Sequence, residues 1–177
     1  MATEQTWVAL LRAVNVGGTG KLPMATLREV VAGLGHTDVR TYIQSGNVVF
    51  TGVIDDREAA SAALSDAIER AVGHRPPAVL RTRGELVAFA EGNPFLARGV
   101  APDSLHGIFF PSPVPAEAAA RATDGFPPGE AVFAGADAWL HFPDGTASSK
   151  LAAFVTSRRG GGGTIRNWRT VGALLTI

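Results

Sequence analysis

The chain has 177 residues, no formal net charge at pH 7 and 46% hydrophobic residues. This content supports a globular core in one ordinary domain or two small ones. The chain lacks cysteine, which excludes disulfides, thiolate chemistry and cysteine metal sites. No apolar run reaches the roughly 18 residues of a membrane span, and no secretory signal is evident. The sequence predicts a cytoplasmic protein without a membrane partner.

The first half of the chain alternates strand and helix patterns. An apolar strand covers residues 6–13, and a helix with one apolar face covers residues 23–34. Two short strands at 39–43 and 48–51 form a hairpin around Gln44-Ser45-Gly46-Asn47. A second helix begins near Asp55 and Asp56 and ends at about Val72, and a fourth strand covers residues 78–81. The order β-α-β-β-α-β is the ferredoxin-like pattern.

The second half repeats this order with different residues. The patterns predict these elements: a strand at 105–110, a helix at 115–122, strands at 131–133 and 139–142, a helix from Ser148 or Ser149 to Ser157, a short strand at 164–166 and a terminal helix. The segment Gly160–Gly163 is expected to be mobile. We therefore expect an α+β protein with two ferredoxin-like (βαββαβ) halves in tandem and a C-terminal helix. The halves cover residues 1–82 and 105–177, and residues 83–104 form a linker. In this linker we expect a short helix from Gly84 to Glu91 and an irregular connection that begins at Asn93-Pro94-Phe95.

A polar loop follows the first strand and leads into the first helix. It runs from Arg12 to Lys21 and contains an arginine, an asparagine, three glycines and a lysine. The spacing does not fit a phosphate-binding P-loop, because Asn15 stands at its first glycine and Leu22 at its Ser or Thr. Free amides in a Gly-Gly turn can still hold an anion. The alternative is that these glycines only permit a sharp turn.

Topology brings a second polar segment to this loop. The first and second strands of a βαββαβ half are parallel, so residues 12–21 and 44–47 are expected at the same sheet edge. The sequence thus predicts a site for an anionic or phosphorylated small molecule, a nucleotide being one case. The candidate ligand-binding residues are Arg12, Asn15, Gly17, Gly18, Lys21, Gln44, Ser45 and Asn47, with Lys150, Arg166 and Asn167 from the second half.

Other interpretations stay open at this point. Trp168, flanked by Arg166 and Arg169, could stack on a base of a single-stranded nucleic acid, or it could be a core residue. Zero net charge argues against binding duplex DNA. An enzyme using the same cleft is the third alternative, although the sequence shows neither a convincing base nor a nucleophile pair. No metal site or cofactor is expected, because the four histidines lack ligand spacing. Oligomeric state is undetermined.

Several motifs carry a family resemblance. They are Ala9–Gly18, Thr41–Phe50, Asn93-Pro94-Phe95, Ser149-Lys150 and Thr164–Trp168. In this order they resemble the bacterial domain-of-unknown-function family numbered 1697, along nearly the whole chain. The resemblance implies an α+β, ferredoxin-like architecture. It implies no reaction, because the family has no established activity.

Overall fold

The computed structural model describes residues 2–177 and divides them into two compact units. One unit extends to Val87 and also includes Ala173–Ile177, and the other is Ala88–Gly172. Residues 83–104, expected as a linker, contain two helices and a 3-10 turn. Met1, part of the expected first half, lies outside the described residues.

The first unit contains one four-stranded antiparallel sheet and two helices. Its elements are β1 (Gln5–Leu11), α1 (Met24–Gly33), β2 (Thr37–Tyr42), β3 (Asn47–Gly52), α2 (Arg57–Val72) and β4 (Ala78–Thr82). The strand order is β2-β3-β1-β4. The helix α3 (Arg83–Glu91) starts directly after β4.

Alternate side chains of the strands form the hydrophobic core of the first unit. Trp7, Ala9 and Leu11 of β1 lie on one face, together with Val48 and Phe50 of β3. Leu27 and Val31 of α1 and Leu64 and Ile68 of α2 pack in the same buried cluster. The side chain of Asp56 starts α2 by accepting a hydrogen bond from the Ala59 N–H at 3.0 Å, as expected for an N-cap.

The second unit has the same strand order. After the short helix α4 (Pro94–Ala97), its elements are β5 (Leu105–Phe109), α5 (Ala116–Asp124), β6 (Glu130–Ala134), β7 (Asp137–His141), α6 (Lys150–Thr156), β8 (Thr164–Asn167) and most of α7 (Trp168–Leu174), whose last two residues belong to the first unit. Its four-stranded antiparallel sheet runs β6-β7-β5-β8. The α+β class expected from the sequence is therefore confirmed, with one four-stranded sheet in each unit.

Two local expectations differ from the structure. Asn93-Pro94-Phe95 was expected to begin an irregular connection, but Asn93 caps α4 by accepting from the Phe95 N–H at 2.9 Å. Gly160–Gly163 was expected to be mobile, but it packs closely. A Cβ on Gly160 would lie 2.1 Å from the Phe154 carbonyl oxygen, and the Gly163 N–H donates to Val155 O at 3.1 Å. Close packing therefore accounts for these glycines.

Candidate functional site

The two polar segments of the first unit meet at one end of its sheet. Leu10 of β1 is paired with Asn47 of β3, so the end of one strand adjoins the start of the other. Past the paired residues, the Leu11 N–H donates to Gly46 O at 2.8 Å. The Asn15 side chain also reaches Gln44 O, at 2.8 Å. Residues 12–21 and 44–47 are therefore neighbours, and we call them together the loop edge.

Asn15 fixes the geometry of the loop edge. Its Nδ2 donates to Leu22 O at 2.9 Å and to Gln44 O at 2.8 Å, and its Oδ1 accepts from the Leu22 N–H at 2.9 Å. An asparagine amide has two N–H donors, and both are used here. Its φ of 53° is in the left-handed region, which asparagine tolerates better than most residues. Asn15 thus joins the two segments and is not free to orient a ligand.

Asn47 has a similar structural role. It is fully buried, and its Nδ2 donates to Tyr42 O at 3.1 Å across the hairpin. A buried amide without partners would be costly, so this contact stabilises the turn between β2 and β3. Gln44, in contrast, is exposed.

Gly17 and Gly18 form the tip of a tight turn. The Thr19 N–H donates to Val16 O at 3.0 Å, and the Asn15 N–H donates to Gly20 O at 2.9 Å. The φ values of Gly17 and Gly18 are 57° and 79°, as in a type I′ turn, which favours glycine at both positions. The turn explains the glycines and also leaves both exposed amides without an acceptor in residues 2–177.

Lys21 supplies positive charge next to this turn. It is exposed and makes no salt bridge with any residue of the described chain. Arg12, at the other end of the loop, is half-buried, and its backbone N–H donates to Pro77 O at 2.9 Å.

Unusual backbone conformations concentrate at the loop edge. Ala13, Asn15 and Ile43 have φ values of 56°, 53° and 47°, although none is glycine. Such conformations cost free energy, and they often occur in binding or catalytic sites. Two large apolar side chains are also exposed here, Val16 at 62% and Ile43 at 49%.

The candidates from the second half lie in the second unit and differ in environment. Arg166 of β8 is buried, and its Nη1 donates to Thr164 Oγ1 at 2.7 Å and to Ile165 O at 2.9 Å. Burial lowers the pKa of Arg166 to about 10. Asn167 Oδ1 accepts from the Thr170 N–H at 2.8 Å. These contacts give Arg166 and Asn167 structural roles.

Lys150 lies in a different part of the second unit. It is the exposed first residue of α6, and Ser149 caps that helix by accepting from the Ala152 N–H at 3.2 Å. Lys150, Ser148 and Asp144 line an open cavity of about 270 Å³. Residues 2–177 contain no group of three His, Asp or Glu residues that could hold a metal ion.

Sequence reasoning missed a polar cluster on the first unit, formed by Thr6, Arg40, Thr51 and Arg83. These residues line a cavity of about 380 Å³. Their spacing in the sequence hardly predicts the cluster, because the strand register brings these residues together. The alternation of Thr6 with the buried Trp7 was the one available signal.

The fold defines this chain as an α+β protein with two four-stranded antiparallel sheets and a polar loop edge on the first. The chain belongs to the family described as protein of unknown function (DUF1697), whose model matches residues 5–139. The resemblance noted in the sequence is thereby confirmed, although Ser149-Lys150 and Thr164–Trp168 lie beyond the matched residues.

One solved structure extends the comparison to nearly the whole chain. It is the conserved bacterial protein SP0830 from Streptococcus pneumoniae, which is 23% identical. The alignment covers 98% of this chain and all of that one, with a TM-score of 0.73. At this identity the likeness concerns the fold. No curated protein matches the sequence. No helix within residues 2–177 is both long and apolar enough to cross a membrane.

Proposed function

We propose that the protein binds an anionic, phosphorylated small molecule at the loop edge. The main support is the Gly17-Gly18 turn, whose two exposed amides have no acceptor in residues 2–177. Lys21, three residues further along, is exposed and makes no salt bridge with any described residue. Successive free amides can hold an anion, and lysine is a common phosphate ligand.

Residues of the loop edge have two kinds of role in this proposal, ligand contact and support of the backbone. Gly17, Gly18 and Lys21 contact the anion, and the exposed Gln44 orients the rest of the ligand. Asn15 and Asn47 hold the two segments together, because their amides are already engaged. The left-handed conformations of Ala13 and Ile43 preorganise the backbone, so little ordering is needed on binding.

Lysine composition provides a matched test. Lys21 and Lys150 are the only lysines of the chain, so Lys21→Gln and Lys150→Gln make the same chemical change in different units. Amide NMR spectra are recorded while inorganic phosphate, pyrophosphate or a nucleotide is added at constant ionic strength. We expect the Gly17 and Gly18 signals to shift, and Lys21→Gln to weaken binding roughly twofold to fivefold, as for an exposed ionic contact.

Two outcomes would contradict the proposal. One is the absence of any Gly17 or Gly18 shift with all three anions. The other is an equal dissociation constant for the two lysine variants, which would mean that the Lys21 ammonium does not contact the anion.

A second candidate function is the binding of a single-stranded nucleic acid by the second unit. Trp168 is half-buried, with its ring 6.1 Å from that of Phe89, and it lines an open cleft of about 320 Å³ with Asn167 and Arg169. Bases would stack on Trp168, and phosphate contacts would make the affinity fall steeply as salt increases. A gel shift that is absent, or insensitive to salt, would exclude this candidate.

The identical strand orders also support a finer description of the fold. Both sheets connect four strands in the same way, with helices after the first and third strands. We propose that each unit is a ferredoxin-like half. Superposition of the two units in an experimental structure tests this, and a mismatch of strand directions would refute it.

A further inference from the structure

The polar cluster missed by sequence reasoning lies on one face of the first sheet. Thr6 is paired with Thr51, and Arg40 is paired with Val49 two residues before Thr51. Paired residues of adjacent strands project to the same face, as do residues two apart. Thr6, Arg40 and Thr51 therefore share the face opposite to the core face of Trp7 and Phe50.

Arg83 joins this face from the end of β4. Trp7 is paired with Thr82 on the antiparallel neighbouring strand. The residue after Thr82, Arg83, is therefore opposite the residue before Trp7, Thr6. Its position is fixed by reciprocal capping of α3, because the Glu85 N–H donates to Thr82 Oγ1 at 3.1 Å and the Thr82 N–H donates to Glu85 Oε2 at 2.7 Å. This is the capping-box arrangement.

The two arginines of this cluster have different partners. Arg83 Nη1 donates to the Leu175 carbonyl oxygen at 2.9 Å, and its Nη2 donates to the oxygen of Ile177. The buried Arg83 Nε has no acceptor in residues 2–177. Arg40 is exposed and makes no salt bridge with any described residue.

The cavity between these side chains has the size and chemistry of an anion site. Its volume is about 380 Å³, within the general range of small-ligand pockets. Its polar lining consists of Thr6, Asp38, Arg40, Thr51, Arg83 and Thr176. Guanidinium groups match the geometry of phosphate oxygens, and hydroxyl groups can donate to them.

We infer that this cavity, which we call the arginine cavity, is a second anion site that takes a phosphate monoester or inorganic phosphate. Arg40 and Arg83 contact the phosphoryl oxygens, and the hydroxyls of Thr6 and Thr51 donate to the oxygens that remain. Asp38 opposes binding by charge repulsion and sets the affinity.

The arginine cavity is distinct from the loop edge. Thr6 lies at the start of β1, whereas the loop edge begins after Leu11 at the end of that strand. A strand advances about 3.3 Å per residue, so these ends are roughly 15 to 20 Å apart. One phosphoryl group cannot contact both.

The test uses two substitutions with opposite expected effects. Arg40→Gln removes a cation from the cavity, and Asp38→Asn removes the opposing anion. Asparagine suits the Asp38 φ of 50°, because it tolerates the left-handed region. Arg70→Gln, at an exposed arginine of α2, is the matched control for loss of one positive charge.

Inorganic phosphate and glycerol phosphate are added to the full chain at constant ionic strength, and NMR follows the Thr6 and Thr51 amides and the Arg83 Nε–H. We expect Arg40→Gln to weaken binding at the arginine cavity at least fivefold, Asp38→Asn to tighten it twofold to fivefold, and Arg70→Gln to leave it unchanged.

The inference is overturned if these signals stay fixed up to about 50 mM phosphate, well above a millimolar dissociation constant. Equal affinities of Arg40→Gln and Arg70→Gln would also overturn it. Loss of the Gly17 and Gly18 shifts alone would refute the loop-edge proposal and leave the arginine cavity intact, so the two failures are distinguishable. Melting temperatures without phosphate verify that each variant is folded.

Discussion

The two units share one strand order but differ in the segment that follows the first strand. In the first unit this segment is the glycine-containing loop of residues 12–21, with exposed amides. In the second unit it is Phe110–Pro115, which contains three prolines, and a proline has no backbone N–H to donate. The proposed anion site therefore belongs to the first unit, because the corresponding segment of the second unit has fewer backbone N–H donors, in line with function residing in loops.

The last strands of the two units, in contrast to these loops, share a feature, because each contains a buried arginine. Arg81 of β4 and Arg166 of β8 are 4% and 7% exposed. Each donates from Nη1 to the carbonyl oxygen of the preceding residue, at 2.8 Å and 2.9 Å. Equivalent buried arginines indicate that the strands are structurally matched while the loops have diverged.

The largest difference in stability loss between the units is expected when their hairpin glycines, Gly46 and Gly135, are replaced by alanine. A Cβ on Gly46 would lie 2.7 Å from Leu11 Cβ, whereas a Cβ on Gly135 would meet nothing within 4 Å. Both glycines have positive φ. Gly46→Ala should therefore cost roughly 2–4 kcal/mol, from strain and overpacking, and Gly135→Ala about 1 kcal/mol, from strain alone. Urea unfolding measures both, and equal losses would contradict the close packing at Gly46.

The next largest loss of stability is expected at Asn15, whose side chain joins the two polar segments of the first unit. Asn15→Ala removes three hydrogen bonds and should lower the free energy of unfolding by roughly 2–3 kcal/mol, at about 1 kcal/mol for each bond. Thr19→Ala, which removes one exposed hydrogen bond to Val16 O, is the control and should cost less than about 0.5 kcal/mol. If the two variants were equally stable, Asn15 would not join the two segments.

A smaller loss of stability, equal in the two units, is expected when the N-cap of a helix is removed. Asp56 caps α2 and Ser149 caps α6, each accepting from the N–H three residues on. Asp56→Ala and Ser149→Ala should each cost about 1 kcal/mol, the usual value for losing an N-cap. Thermal unfolding of both variants provides the measurement, and a large inequality would show that the two helices are not equivalent.

The smallest effect is a dependence on pH that both units contribute to. Burial lowers the pKa of His36 in the first unit and of His106 in the second, from the ordinary value of 6.5. The unfolded chain then binds more protons than the folded one at mildly acidic pH, so stability should fall as the pH drops below 6.5. In melting curves, His36→Gln and His106→Gln should each show a smaller decrease between about pH 7.5 and pH 5. An unchanged decrease in both would assign the acid sensitivity to other groups.

Local sequence patterns anticipated most of the helices and strands. The apolar spacing of Leu27 and Val31, the cap at Asp56 and the stop after Val72 are signals within a few residues of one another, so they can be read directly. The glycine segment 160–163 was misjudged because its constraint is close packing, of Gly160 against the Phe154 backbone and of Gly163 against the Ile108 and Phe110 side chains, which the sequence does not display.

The sequence by itself determined the α+β class, the repeated element order and the meeting of residues 12–21 with residues 44–47. Each of these follows from local periodicity combined with strand connectivity. Only the tertiary structure decided which polar groups remain available. Asn15 and Asn47 are engaged by backbone groups between 5 and 29 residues away, and strand register brings Thr6, Arg40, Thr51 and Arg83 together. Hydrogen-bond satisfaction and register depend on distant partners, and for that reason a linear pattern cannot specify them.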